Sequence, residues 1–213
     1  MSYQMEGHLN LEHDHHIDTS KPMEYSTEDG SLRIFGFWVF LGSDLVLFSC
    51  LFTMYILLFR NTAGGFTSQQ LYDYPTFLSE TFLLLTSSFT CGLATYSMRR
   101  GWKNAVIGWL IVTVLLGLGF IGFEVSEFLK YVHMGATISK SAFLSSFFIL
   151  VGTHGCHVSL GILWLTSIII QVARRGLNPV TTRKIFISGL YWHFLDVAWI
   201  FIFTVVYFMG KVL

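Results

Sequence analysis

Charged residues are scarce in this chain of 213 residues. Asp, Glu, Lys and Arg make up 12% of it, whereas about 25% is usual for a soluble domain. Hydrophobic residues make up 53% and aromatic residues 17%, so the composition indicates a membrane protein. Thirteen basic residues balance thirteen acidic ones, and the basic excess typical of nucleic-acid binding is therefore absent.

Cysteine and proline are also rare, with three of each. All three cysteines lie in apolar stretches and none forms a Cys-x-x-Cys pair, so we interpret them as small core residues. The prolines lie outside these stretches, so no apolar segment is expected to be broken by one.

Long apolar runs account for most of the chain. Each of five segments is at least about 20 residues long, enough to cross a hydrocarbon core of about 30 Å as a helix. They lie near 34–59, 76–98, 104–129, 141–173 and 185–210. Strand-type alternation is missing, so the sequence predicts an all-α, polytopic bundle of five transmembrane helices over residues 32–213. Residues 1–31 form a polar tail with four histidines whose spacing fits no structural zinc site.

The distribution of Lys and Arg predicts the orientation of the chain. Nine of the thirteen flank the N-terminus and the second and fourth loops, and four lie on the other side. The positive-inside rule therefore places the N-terminal tail in the cytoplasm and the C-terminus on the outer side.

Ionisable residues inside the spans carry most of the functional information, because a charge in lipid costs about 2.5–3.5 kcal/mol even on the lenient insertion scale. Those predicted near mid-depth are Asp44, His154, His157, His193 and Asp196, and those nearer the outer face are Glu80, Glu124 and Glu127. A contact between His193 and Asp196, or an interhelical hydrogen bond between a histidine and a carboxylate, would satisfy these groups.

Three interpretations of these residues are open. The histidines and a carboxylate could ligate a metal or haem, although the Glu-x-x-His pairs of di-iron bundles are absent. They could form a proton or ion path in a small stand-alone transporter, although no inverted repeat or broken helix is evident. They could also be interhelical hydrogen-bonding groups that specify the packing of the bundle.

Glycines at helical spacing predict close packing between the helices. Gly117, Gly119 and Gly122 have the spacing of a dinucleotide-binding loop, but they lie inside an apolar segment with no preceding strand. Gly152 with Cys156 and Gly155 with Ser159 have the small-xxx-small spacing.

Several motifs resemble subunit III of the haem–copper oxidases. They are GFWVFLGSDLVLFSCLF (36–52), SETFLLLTSSFTCGLA (79–94), GFIGFEVSEF (119–128), FLSSFFILVGTHGCHVSLG (143–161) and LYWHFLDVAWIFIFTVVYFMG (190–210). The resemblance covers all five segments in order. It is to the five-helix form typical of bacterial quinol oxidases, which lacks the first two helices of the seven-helix form.

Within this family, PMEYSTEDG (22–30), the MRRG turn (98–101) and RRGLNP (174–179) are most similar to the aa-type menaquinol oxidases of Gram-positive bacteria. Asp44 and the His-rich tail also occur in the bo-type ubiquinol oxidases, which are the second assignment. Many aa-type relatives have Glu at the position of Asp44.

The resemblance implies a non-catalytic subunit in a bacterial plasma membrane, with no metal and no redox centre of its own. Subunit I would carry the haems, the copper, oxygen reduction and proton pumping, and subunits I, II and IV would be partners. This chain would stabilise subunit I, hold phospholipid in a cleft and support proton uptake. Asp44 matches a buried carboxylate beside that cleft. The remaining matches, for which the resemblance implies packing roles, are Glu80, Glu124, Glu127, His154, His157, His193 and Asp196.

Overall fold

In a computed structural model, the described part of the chain forms five long helices. The structure describes residues 22, 25, 28–62 and 74–208, with only the backbone at 28–30, 74 and 208. The helices are α1 (Glu28–Leu58), α2 (Tyr74–Arg99), α3 (Lys103–His133), α4 (Ala142–Arg175) and α5 (Pro179–Ile202), which continues as a π-helical segment over Phe203–Phe208. All five are long and apolar enough to cross a membrane, in agreement with the prediction. Most of the predicted tail, including its histidines, lies outside the described residues.

The helix ends differ from the predicted spans. Helix α1 begins at Glu28 instead of near 34, α3 continues to His133 instead of 129, and α5 begins at Pro179 instead of 185. Asn178 explains the early start of α5, because its side chain accepts from the N–H of Thr181, whose hydroxyl accepts in return from the N–H of Asn178. Pro179 follows at the first helical position, where its missing N–H costs nothing.

Four of the helices pack as a closed ring in the order α2, α3, α4, α5, and α1 packs on the outside against α4 and α5. Two tight turns at the same end of the ring join α2 to α3 and α4 to α5. Each contains a glycine in the left-handed region, Gly101 at φ 74° and Gly176 at φ 71°, where a side chain would be strained. The Nζ of Lys103 donates to the carbonyl of Ala173 at 2.9 Å and so links these turns.

Trp192 of α5 fills the centre of the ring. A methyl group on Gly117 of α3 would lie 2.8 Å from its indole, and one on Gly161 of α4 would lie 3.1 Å from it. The indole N–H donates to the hydroxyl of Ser87 on α2 at 3.0 Å. Close packing at a glycine is thus confirmed for Gly117, whereas Gly122 has no atom within 4 Å of an added methyl and does not make a close approach.

Candidate functional site

The eight ionisable residues singled out from the sequence face the interior of the helix bundle. Six are buried and two are partly buried, His157 and His193. They are a central histidine (His154), the pair Asp44 and His157 between α1 and α4, His193 and Asp196 of α5, and a group of three glutamates.

His154 of α4 lies at the centre, fully buried at 0% exposure. Aromatic rings from three other helices surround it, with centroids 6.3 Å away for Phe48, 5.9 Å for Phe120 and 5.3 Å for Trp199. Neither ring nitrogen has a hydrogen-bond partner among the described residues. This imidazole therefore packs as an aromatic group and has no carboxylate or histidine bound to it there.

Asp44 and His157 approach each other between α1 and α4. The His157 Nε2 lies 3.7 Å from the Asp44 Oδ2, and both side chains are largely buried. The other ring nitrogen, Nδ1, lies 2.8 Å from the carbonyl oxygen of Thr153, one turn earlier on α4. An interhelical approach between a histidine and a carboxylate is thus present, although this distance is longer than a hydrogen bond.

His193 and Asp196 do not form the contact suggested by their spacing. The Nδ1 of His193 is 2.7 Å from the hydroxyl of Ser88 on α2, so its ring reaches across to the neighbouring helix. Both carboxyl oxygens of Asp196 are buried and lack a hydrogen-bond partner within 28–62 and 74–208. Two residues three positions apart lie on one helix face, but each side chain can still form its hydrogen bond with a residue on another helix.

The three glutamates, Glu80 of α2 with Glu124 and Glu127 of α3, lie within electrostatic range of one another. Glu127 accepts hydrogen bonds from the hydroxyls of Tyr131 on α3 and, at 3.1 Å, Tyr207 at the end of α5. Glu80 is 0% exposed. Neither of its carboxyl oxygens has a hydrogen-bond partner in the part of the chain that the structure describes.

Gly155 brings this acidic group against the central layer. A methyl group on Gly155 would lie 2.5 Å from both carboxyl oxygens of Glu124, so the carboxyl group rests against the backbone of α4 next to His154. The two polar layers predicted from the sequence therefore meet at Glu124. Close packing at the small residue Gly155 is also confirmed.

Several residues that complete the site were not predicted from the sequence. Tyr131 follows Glu127 by four residues, a spacing that could have indicated the pair. Ser88 and Tyr207 are distant in sequence from His193 and Glu127, and no local pattern links them. Thr153 contributes only its backbone oxygen to His157, a role that its side chain could not have indicated.

A groove between α1 and α5 adjoins the Asp44–His157 pair. It has a volume of about 310 Å³, and its walls are apolar except for Ser49. Phe48, one turn after Asp44, lines the groove and also packs on His157, with ring centroids 5.4 Å apart. No grouping of three or more His, Cys, Asp or Glu side chains suited to hold a metal ion occurs among the described residues.

The chain is similar to known proteins over nearly its whole length. Residues 25–211 match the family model "Cytochrome c oxidase subunit III". The chain is 56% identical over 200 residues to "Quinol oxidase subunit 3" of Bacillus subtilis (strain 168), an alignment that covers 94% of this chain and 98% of that protein. It is 49% identical over 191 residues to "Probable quinol oxidase subunit 3" of Staphylococcus saprophyticus, with 89% and 95% covered.

Proposed function

Because the chain belongs to the cytochrome c oxidase subunit III family, we propose that it is subunit III of a bacterial quinol oxidase, a membrane complex that oxidises quinol and reduces oxygen to water with proton translocation. The observation that carries this proposal is the 56% identity to quinol oxidase subunit 3 of Bacillus subtilis over 94% of the chain. The similarity to Bacillus and Staphylococcus proteins supports an aa-type menaquinol oxidase over a bo-type ubiquinol oxidase.

In this proposal the chain has no redox centre, and a partner subunit I carries the haems and copper. The surroundings of His154 support this. Rings of Phe48, Phe120 and Trp199 occupy the space around its imidazole, where a haem iron or copper ion would need further ligands. His157 and His193 each direct Nδ1 to an oxygen of a neighbouring residue instead of toward a shared centre.

The accessory role has three parts, which are stability of the large subunit, phospholipid binding and support of proton uptake. The chain stabilises the large subunit within an assembly that also contains subunits II and IV, and it holds phospholipid. The apolar groove between α1 and α5 suits an acyl chain, because its lining includes Phe52, Phe194 and Phe201 and has only a small polar surface. Asp44 lies one turn before Phe48 on α1, next to this groove. In this proposal its buried carboxylate supports proton uptake.

For the orientation, we propose a cytoplasmic N-terminus and a C-terminus on the outer side. The two tight turns joined by Lys103 and Ala173 belong to the basic end of the bundle. Arg99, Arg100, Arg174 and Arg175 are exposed at this end. Such an excess of positive charge is typical of cytoplasmic loops.

Purification of the tagged chain in a gentle detergent tests this proposal. We expect co-purification of a large multi-helix subunit, reduced-haem bands in the optical spectrum and quinol-dependent oxygen uptake in the eluate. The position of the bands separates the aa type from the bo type. A colourless chain that elutes alone would contradict the proposal and would favour a stand-alone transporter.

A further inference from the structure

We propose that the three glutamates of α2 and α3 form a proton-binding site with divided roles. Glu127 is the ionised member, held by two tyrosine hydroxyls, whereas Glu80 and Glu124 each hold a proton. The proposed function of the chain assigns no chemistry to this group, so the inference goes beyond that function. It rests on the different hydrogen bonding of the three carboxyl groups.

Glu127 accepts a hydrogen bond at each of its two carboxyl oxygens. Oε1 accepts from the hydroxyl of Tyr131, one turn later on α3, and Oε2 accepts from the hydroxyl of Tyr207 at 3.1 Å. Hydrogen bonds donated to both oxygens favour the ionised form of a carboxyl group. Packing holds the donors in place, because Tyr207 stacks on Phe77 at 5.1 Å between ring centroids and both tyrosine rings contact Phe147.

Glu80 and Glu124 have the opposite surroundings. Glu80 is 0% exposed, and within 28–62 and 74–208 no group donates to either of its carboxyl oxygens. Oε1 of Glu124 is buried and equally without a partner in these ranges, and its carboxyl group lies against the backbone of α4 at Gly155. A negative charge on such a group would have neither water nor a donor to stabilise it, which is costly inside a membrane protein. The neutral acid avoids this cost, so these two glutamates hold the protons.

The three carboxyl groups act as one site because they lie within electrostatic range of one another. A charge on Glu127 disfavours a second negative charge on either neighbour. The titratable group of α4 beside the site is His154, which is fully buried and has no hydrogen-bond partner among the described residues, so a positive charge there would be costly as well. The titratable group of α5 is Tyr207, which serves as a donor. One negative charge and two protons are therefore the state that these contacts favour.

Infrared spectroscopy at neutral pH tests the division of roles, in the complex purified through a tag on this chain. Protonated carboxyl groups and carboxylates absorb in separate regions, so a difference spectrum between variant and wild type shows which form was lost. We expect Glu80→Gln and Glu124→Gln each to remove the band of one protonated carboxyl group, and Glu127→Gln to remove that of one carboxylate. Loss of a protonated carboxyl band in Glu127→Gln would overturn the proposal, as would loss of a carboxylate band in either of the other two variants.

Removal of the tyrosine donors gives a second readout, which a merely structural role of Glu127 would not move. In the double variant Tyr131→Phe with Tyr207→Phe, Glu127 loses both hydroxyls, and we expect the band of one additional protonated carboxyl group. Tyr96→Phe is the matched control, because Tyr96 is 51% exposed, and we expect no additional band. The double variant keeps all three acids, so it tests the assignment even if a glutamate variant fails to assemble. An unchanged carboxyl spectrum in the double variant would overturn the proposal.

Discussion

The carboxyl group of Glu124 rests directly on the α-carbon of Gly155, with both oxygens 2.5 Å from the position that a methyl group on Gly155 would occupy. A glycine in α4 thus provides the space for a buried acid of α3. Because the contact lies next to His154, it joins the acidic group to the central layer of the bundle.

Gly155→Ala is expected to destabilise the chain by about 1–3 kcal/mol, the usual cost of overpacking. The new methyl group must displace the Glu124 carboxyl, whose residue is only 4% exposed. Gly152→Ala, one turn earlier, is the matched control, since its methyl group would meet Phe128 at an ordinary 3.7 Å. Thermal dissociation of the chain from the purified complex measures the effect, and an equal midpoint for both variants would contradict the packing described for Gly155.

Tyr207→Phe is expected to lower stability by about 1 kcal/mol, because it removes the hydroxyl that donates to Glu127 while keeping the ring stacked on Phe77. Tyr96→Phe is the control, because Tyr96 is 51% exposed. The same thermal dissociation assay compares them. If the Tyr96 variant loses as much stability as the Tyr207 variant, the hydrogen bond from Tyr207 to Glu127 does not stabilise the fold.

His154→Ala is expected to leave the haem and copper content of the complex unchanged and to weaken retention of the chain by about 2 kcal/mol or more, because it leaves a cavity among Phe48, Phe120 and Trp199. Cys156→Ala changes an exposed neighbouring position on α4 and should have little effect on the haem and copper content or on retention of the chain. The measurement is metal analysis together with a haem spectrum, normalised to the large subunit. Loss of one haem or copper per complex would instead assign His154 to a cofactor site.

Ser49→Phe is expected to reduce the phospholipid that remains with the complex, because an aromatic ring at this position fills the groove between α1 and α5. Leu118→Phe adds a ring to an exposed site on α3, away from the groove, and serves as the control. Native mass spectrometry of bound lipid distinguishes them. Equal lipid content in both variants would show that the groove is not the lipid site.

Much of the fold could be predicted from the sequence because span length and apolar composition are properties of single segments. The ends of the helices were harder to predict. The prediction located the edges of apolar stretches, whereas helices such as α5 begin in polar turns that are stabilised by a cap at Asn178.

The site could be predicted in part. The cost of a charge in lipid was sufficient to identify Glu80, Glu124 and His154 as interior residues. Their partners depend on how the helices are arranged. The contact of His193 with Asp196 was one of two arrangements considered, and it does not form, because the His193 ring contacts Ser88 of α2. No local sequence pattern in α2 or α5 indicates this contact.

We propose that this chain supports a quinol oxidase without carrying its redox chemistry. Deleting the chain and purifying the complex through a tag on the large subunit tests it most directly, by the haem and copper content per large subunit. We expect unchanged haem and copper per large subunit, with a quinol oxidase activity that is less stable without the chain and regains its stability when the chain is restored. Loss of a haem or copper in proportion to the missing chain would contradict it.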